Sequence, residues 1–263
     1  MFYLDFLYYN KYYIFMDNVY RSFLFSPTSI RLPNELYNLI DLDAWFFGFR
    51  KNSKSNINGF LNELLPSLAT YREETSNLIS TLTEINEETA NQMVSGTFSF
   101  DALILSFINN NGVNVSLRVN KSRTKEFIDI YDNHLREFDM DFSTFVRSAL
   151  LDYVSKRRSI RERLLYFKQF REISLAMQEK NLCFLHLENS SMRFIPTHII
   201  VSPKNDCNFL FGLDTKTKTP HSIALRNILS VSRQKDRDDV KITSSDIKLL
   251  EEKIKNFLRE EKL

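Results

Sequence analysis

The chain has 263 residues, of which 43% are hydrophobic and 26% charged, with a formal net charge of +2. That composition belongs to a folded protein and excludes a disordered one, and the near balance of charge means that any surface for a polyanion must arise from local clustering. Five glycines, two cysteines and four histidines argue against a Gly-rich phosphate loop, a disulfide framework and a zinc cluster.

The first segment, residues 1–18, is aromatic but carries no early basic residues and no small-residue cleavage site, so it does not read as a signal peptide. Met16 offers an alternative start, and residues 1–25 form an N-terminal extension. Residues 28–32 read as a short strand closed by Pro33. Asn34 is placed to cap a helix through Leu36, Leu39, Ile40 and Trp45. After a polar break at 50–54, Ser55 caps a second helix carrying Ile57, Phe60, Leu61, Leu64 and Leu65, which Pro66 ends or kinks. The polar stretch 73–91 and the apolar stretch 98–108 read as an insertion.

The pattern then returns. Val113, Val115, Leu117 and Val119 alternate with Asn114, Ser116 and Arg118, the period of a strand. Ser122 opens a helix through Phe127, Ile128, Tyr131 and Leu135, and Ser143 lies near the cap of another through Phe145, Val146, Ala149, Leu150 and Tyr153. Strand, helix, break and helix thus occur twice, with Ser29-Ile30-Arg31-Leu32 aligned on Ser116-Leu117-Arg118-Val119.

Next comes a basic run of Lys156, Arg157, Arg158, Arg161, Arg163, Lys168 and Arg171, interleaved with Tyr166, Phe167 and Phe170 and opposed before Glu172 only by Glu162. A helix of this kind can neutralise phosphates and stack unpaired bases; a solvated linker helix anchored by its aromatics is the other reading. From Phe184 onward, short apolar runs between turn residues read as strands. Finally Thr243-Ser244-Ser245-Asp246 forms a capping box for a helix with the apolar stripe Leu249, Leu250, Ile254, Phe257 and Leu258. Such a stripe needs a surface, either the chain's own strands or the same helix of a second subunit, and the reading favours a homodimer. No run approaches about 18 consecutive apolar residues, so no membrane span is expected. Two free thiols suit a cytoplasmic protein. No nucleophile elbow, metal-spaced His/Cys set or phosphate loop is found, so neither enzymatic activity nor a cofactor is expected.

The two strand-helix-helix copies resemble ribbon-helix-helix units. The resemblance implies that the strands pair antiparallel into a ribbon able to enter the major groove of DNA, here as an internal pseudo-dimer. Ile30, Leu32, Val115, Leu117 and Val119 then form the core face, while Ser29, Arg31, Asn114, Ser116 and Arg118 form the exposed face. Phosphate contacts in that family come from the start of the second helix, which matches Ser55 with Asn56 and Ser143 with Thr144. For any single one of these residues, the plain solvent face of a ribbon is the alternative.

From Phe170 to Arg233 the order of residues resembles the WYL domain, a small Sm- or SH3-like β-barrel. A helix over 173–180 precedes a strand at 183–187; Arg193-Phe194-Ile195-Pro196 matches the next, followed by the apolar run 199–201. Asn208-Phe209-Leu210 stands in place of the naming tripeptide, Phe211-Gly212-Leu213-Asp214 follows, and 223–228 matches the closing strand. The signature Trp is absent, and Asn227 replaces the usual Arg. The resemblance implies a ligand surface that includes Arg193, with His186, His198, Phe209 and Arg226 nearby. For each histidine, a half-buried barrel residue is the alternative.

The expected architecture is α+β. A tandem ribbon-helix-helix-like region (26–160) precedes a WYL-like barrel with its basic helix (161–235) and a C-terminal helix (236–263). This combination resembles the accessory proteins of type VI-D CRISPR systems, which implies binding of single-stranded RNA and stimulation of an RNA-guided ribonuclease. A ligand-responsive transcription regulator that binds duplex DNA is the alternative. The candidate nucleic-acid residues are Ser29, Arg31, Asn114, Ser116, Arg118, Arg157, Arg158, Arg161, Lys168, Arg171, His186, Arg193, His198, Phe209 and Arg226.

Overall fold

A computed structural model describes residues 21–24, 26–83, 112–135, 141–234 and 242–261. Most of the N-terminal extension and the stretch 98–108 lie outside the described residues. The chain divides into two compact units, Met1–Ser155 and Lys156–Leu263, and its mixture of helices and antiparallel strands is an α+β fold.

In the first unit, β1 (Thr28–Pro33) runs into α1 (Asn34–Phe46), the hairpin β2 (Arg50–Lys51) and β3 (Lys54–Ser55), and α2 (Ile57–Thr83). The second copy is β4 (Gly112–Leu117), a 3-10 turn, α3 (Thr124–Ile130) continued by a π turn, and α4 (Phe142–Val154). β1 and β4 pair antiparallel with each other, Ser29 facing Ser116 and Arg31 facing Asn114. Two strands alone are marginal in water. This ribbon is held by its inner face, where Ile30, Leu32, Val115 and Leu117 are buried against the helices; each such side chain contributes about 1.5–3 kcal/mol. The Tyr153 hydroxyl of α4 donates to buried Asp43 of α1 at 3.0 Å, tying one copy to the other.

Local details differ from the sequence expectations. Asn34 is the first helical residue and does not cap α1, whose N-cap position is Pro33 with no side-chain bond. The polar break is a hairpin, with Asn52 and Ser53 both at positive φ (51° and 58°), as a two-residue primed turn requires. Asn56, not Ser55, caps α2 by accepting from Gly59 N–H at 3.0 Å. Pro66 does not end that helix, which continues to Thr83. Phe60, Leu61, Leu64, Leu65 and Leu68 are all buried around it, and their burial outweighs the roughly 3 kcal/mol cost of an internal proline. α4 is capped by Asp141, two residues before the expected Ser143.

The second unit opens with α5 (Arg158–Leu165) and α6 (Phe167–Glu179), followed by β5 (Leu182–Leu187), β6 (Ser191–Val201), β7 (Asn208–Asp214), β8 (Pro220–Ala224), β9 (Ile228–Gln234) and α7 (Ser244–Glu260). The strands form one antiparallel sheet in the order β8-β7-β6-β5-β9. It does not close: after β8 a 3-10 turn, Leu225–Asn227, carries the chain to β9, which pairs with β5, and no ladder joins β8 to β9 among the described residues. The expected closed barrel is corrected to an open sheet. Cys183, Leu185, Phe194 and Leu210, on one face of the sheet, are buried, as are Ile173 and Ala176 of α6, and α6 packs on β5, β6 and β9. Gly212 allows a close approach: a Cβ there would lie 2.1 Å from the Ile195 carbonyl oxygen.

The capping box of α7 forms as expected between Thr243 and Asp246. Leu250, Ile254, Phe257 and Leu258 of its apolar stripe face the chain's own sheet, and Leu249 is exposed. The Phe257 ring sits 4.8 Å from Phe209 and 5.2 Å from Phe211, and Leu250 is buried. Most of the stripe is therefore covered within the chain.

Candidate nucleic-acid surfaces

On the ribbon, the alternation places Ser29, Arg31, Asn114, Ser116 and Arg118 on the exposed face. The register sets Arg31 beside Asn114 and Ser29 beside Ser116. Arg118 follows the last paired residue of β4. Its N–H donates to Asn58 Oδ1 at 2.7 Å, and its carbonyl accepts from Asn62 Nδ2 at 2.9 Å. Asn62 Oδ1 in turn accepts from Asn120 N–H at 2.8 Å. α2 thus clamps the chain leaving the ribbon, through asparagines that no sequence pattern had singled out.

The two expected phosphate contacts are unequal. At α2 the cap is the neutral amide of Asn56. At α4 the Asp141 carboxylate accepts from Thr144 N–H at 3.0 Å and from the Thr144 hydroxyl. Burial pushes the Asp141 carboxyl up, but these bonds and the nearby Arg147 charge prevail and hold it below the usual carboxylate value. A negative side chain already occupies the position where Ser143 and Thr144 were expected to receive a phosphate.

The sheet presents a second surface. Ser232 of β9, Phe184 of β5 and Arg193 of β6 stand in one cross-strand row; Ser230, His186 and Ser191 stand in the next. All are exposed except Phe184, which is half-buried. The Phe184 and His186 rings lie 5.4 Å apart, and His186 Nδ1 meets Ser191 Oγ at 2.9 Å. An aromatic ring, an imidazole and a guanidinium thus share one patch at the β5–β6 end of a face whose Leu182, Ile195 and Leu213 are buried. Phe184 was not among the expected residues, although Leu182, Phe184 and His186 share one parity in their strand and could have been read together.

His198 and Phe209 belong elsewhere. A register shift between Pro196 and His198 pairs His198 with Phe211. His198 lines a groove of about 500 Å³ with Ile200 and, from α7, Leu250, Ile254 and Leu258. Phe209 contacts Phe257 and is not an open stacking platform.

The basic run is not one helix: Tyr166, at φ −105° and ψ 38°, separates α5 from α6. Several of its cations bind the turn before β7. Arg157 pairs with Asp206 at 3.1 Å, Arg158 donates to the Asn205 carbonyl at 3.3 Å, and Arg163 donates to Asn208 Oδ1 at 2.8 Å while covering the Phe170 ring at 5.1 Å. Arg161 is half-buried, and Lys168 and Arg171 are exposed. Tyr166 is buried. The expected single basic helix is thus two helices, with three of its cations engaged at 205–208.

Arg226 also faces inward. It is half-buried, and its charge lies close enough to act on Glu162 and Cys207. Glu162 is fully buried. It accepts from Asn208 N–H at 2.5 Å and from Asn208 Nδ2 at 2.8 Å. Burial pushes the Glu162 carboxyl up, and the donors from Asn208 and the charge of Arg226 only partly offset this. Burial likewise pushes both thiols, Cys183 and Cys207, up to about 12, which makes them poor nucleophiles at neutral pH. Among the described residues, no group of His, Cys, Asp and Glu is arranged to hold a metal ion, and no helix is long and apolar enough to cross a membrane.

No family model and no curated protein matches the chain. Among solved structures, it is similar to the crystal structure of a CRISPR Cas-related protein, with a TM-score of 0.60 and 14% identity over 86% of this chain and 70% of that one. At that identity the likeness is one of fold.

Proposed function

We propose that the protein is a non-catalytic, nucleic-acid-binding regulator: a cytoplasmic accessory protein of a CRISPR system that binds single-stranded RNA and modulates an RNA-guided ribonuclease. The observation that carries this reading is the patch of Phe184, His186 and Arg193 on β5 and β6. Phe184 offers a ring for an unpaired base, Arg193 beside it offers a guanidinium for phosphate or for stacking, and His186 with Ser191, Ser230 and Ser232 offers hydrogen bonds. The strand order, in which a four-stranded meander is completed by a fifth strand returning to the first, supports the Sm/SH3-like, WYL-type reading of this unit. The fold likeness to a CRISPR Cas-related protein supports the setting. A homodimer would use the outer side of α7, where Ile247 and Leu249 are exposed.

The test is a titration of labelled single-stranded RNA with wild type and with Phe184→Ala/Arg193→Ala. Loss of one stacked base and one phosphate contact is expected to weaken binding by on the order of tenfold or more, with affinity falling steeply with salt. Equal affinities would remove the sheet from the account.

A second reading has its own observation. The intrachain pairing of β1 with β4, with polar residues on the outer face and apolar residues on the inner one, supports a ribbon-helix-helix unit that binds duplex DNA in the major groove. The expected outcome is that Arg31→Ala weakens duplex binding and leaves RNA binding at the sheet unchanged.

A further inference from the structure

The repeat alignment and the strand register together locate a pseudo-two-fold axis. Ser29 aligns with Ser116 in the repeat, and the same two residues face each other across the ribbon, so the axis passes through that pair. Rotation about it exchanges Arg31 with Arg118 and Asn114 with Pro27. Two residues from the axis on one side, Arg31 stands opposite Asn114. On the other side the ladder ends at Thr28 and Leu117, and Arg118 follows directly. Arg118 is held there by Asn58 and Asn62 of α2. One end of the ribbon therefore offers a guanidinium beside a carboxamide. At the other end the counterpart of Asn114 is Pro27, whose side chain has no donor or acceptor. The helix starts differ as well, with the neutral Asn56 at α2 and the Asp141 carboxylate at α4; a phosphate is accepted by the first and repelled by the second.

We propose that the ribbon of a single chain reads a non-palindromic duplex DNA site, with guanine at both ends and an adenine beside only one of them. This rests on the duplex-DNA reading of the ribbon given above. Arg31 and Arg118 are four residue positions apart along the ribbon, about 13 Å at the usual strand rise, or about four base-pair steps of about 3.4 Å. Arginine pairs in bidentate fashion with guanine O6 and N7, and asparagine with adenine N6 and N7. A two-fold dimer of identical chains would present the same residues at both ends and select a palindrome. Joining the two copies in one chain has let the ends diverge.

Selection of the full-length protein on a duplex DNA pool with a randomised core, followed by sequencing, tests this. The expected site has two guanine preferences about four steps apart and an adenine preference at one end alone. Asn114→Ala is expected to abolish the adenine preference and weaken binding by on the order of tenfold, with both guanines retained. Arg118→Ala is expected to erase the guanine at the other end. Both side chains are exposed, and circular dichroism matching wild type excludes misfolding. An enriched palindrome, or an Asn114→Ala pool with unchanged preferences, overturns the proposal while leaving the ribbon a DNA-binding element. Failure to enrich any duplex overturns the duplex-DNA reading as well.

Discussion

The ribbon and the basic run at 156–171 are both polar in sequence, yet the fold treats them differently. On the ribbon, Ser29, Arg31, Asn114, Ser116 and Arg118 all face outward, because one face of a paired strand is packed and parity alone decides which side chains remain outside. In the basic run, Arg157, Arg158 and Arg163 bind Asp206, Asn205 and Asn208, partners more than forty positions along the chain. Alternation is a local signal that survives folding. A cluster of charge is not, since its availability depends on what the rest of the chain brings to it.

Six substitutions can break or sharpen this contrast. The largest effect is expected in the second unit, at Gly212→Ala. The added Cβ would meet the Ile195 carbonyl oxygen at 2.1 Å and the Phe194 ring at 2.6 Å, so backbone must shift; a loss of roughly 3 kcal/mol or more is expected in urea unfolding. On β1, Leu32→Ala is expected to cost about 2–5 kcal/mol, whereas Arg31→Ala one position earlier stays within about 0.5 kcal/mol. Similar costs at the two positions would discard the two-faced ribbon.

Asn208→Ala removes a donor to Glu162 and an acceptor for Arg163 and is expected to cost about 1–3 kcal/mol. Glu162 adds a pH signature. Its folded value lies above its ordinary 4.5, so its contribution is complete below that value and is lost as pH rises through the raised one. Glu162→Gln does not titrate and should gain on wild type as unfolding is repeated from acidic to neutral pH; parallel curves would show that the carboxyl is not desolvated. Arg157→Ala, like Arg31→Ala, is expected to have a small effect. Its side chain is 76% exposed in the pair with Asp206, so a change of about 0–1 kcal/mol is expected.

Legibility followed the same division. The alignment of Ser29 with Ser116, the parity of both strands and the Thr243/Asp246 capping box could all be read from sequence. The hairpin at 50–55 could not, because Asn52 and Ser53 take positive φ without a glycine. Helix starts slipped by one or two residues where several capping types adjoin, as at Asp141, Ser143 and Thr144. The continuation of α2 through Pro66 depended on tertiary burial that a propensity cannot express. At the sheet, Arg193 could be found by resemblance. Its neighbours Phe184, Ser230 and Ser232 required the register, and the shift after Pro196 that carries His198 to the α7 groove left no mark in the sequence.

The central claim is that single-stranded RNA lies on the β5–β6 patch of the sheet. Photo-crosslinking of 4-thiouridine-substituted single-stranded RNA to the full-length protein, followed by mapping of the modified peptides, addresses it directly. The account predicts adducts in β5 and β6 at Phe184, His186 or Arg193, competed away by unlabelled RNA and reduced as salt rises. Specific adducts confined to the ribbon or to α5, with none on the sheet, would contradict it.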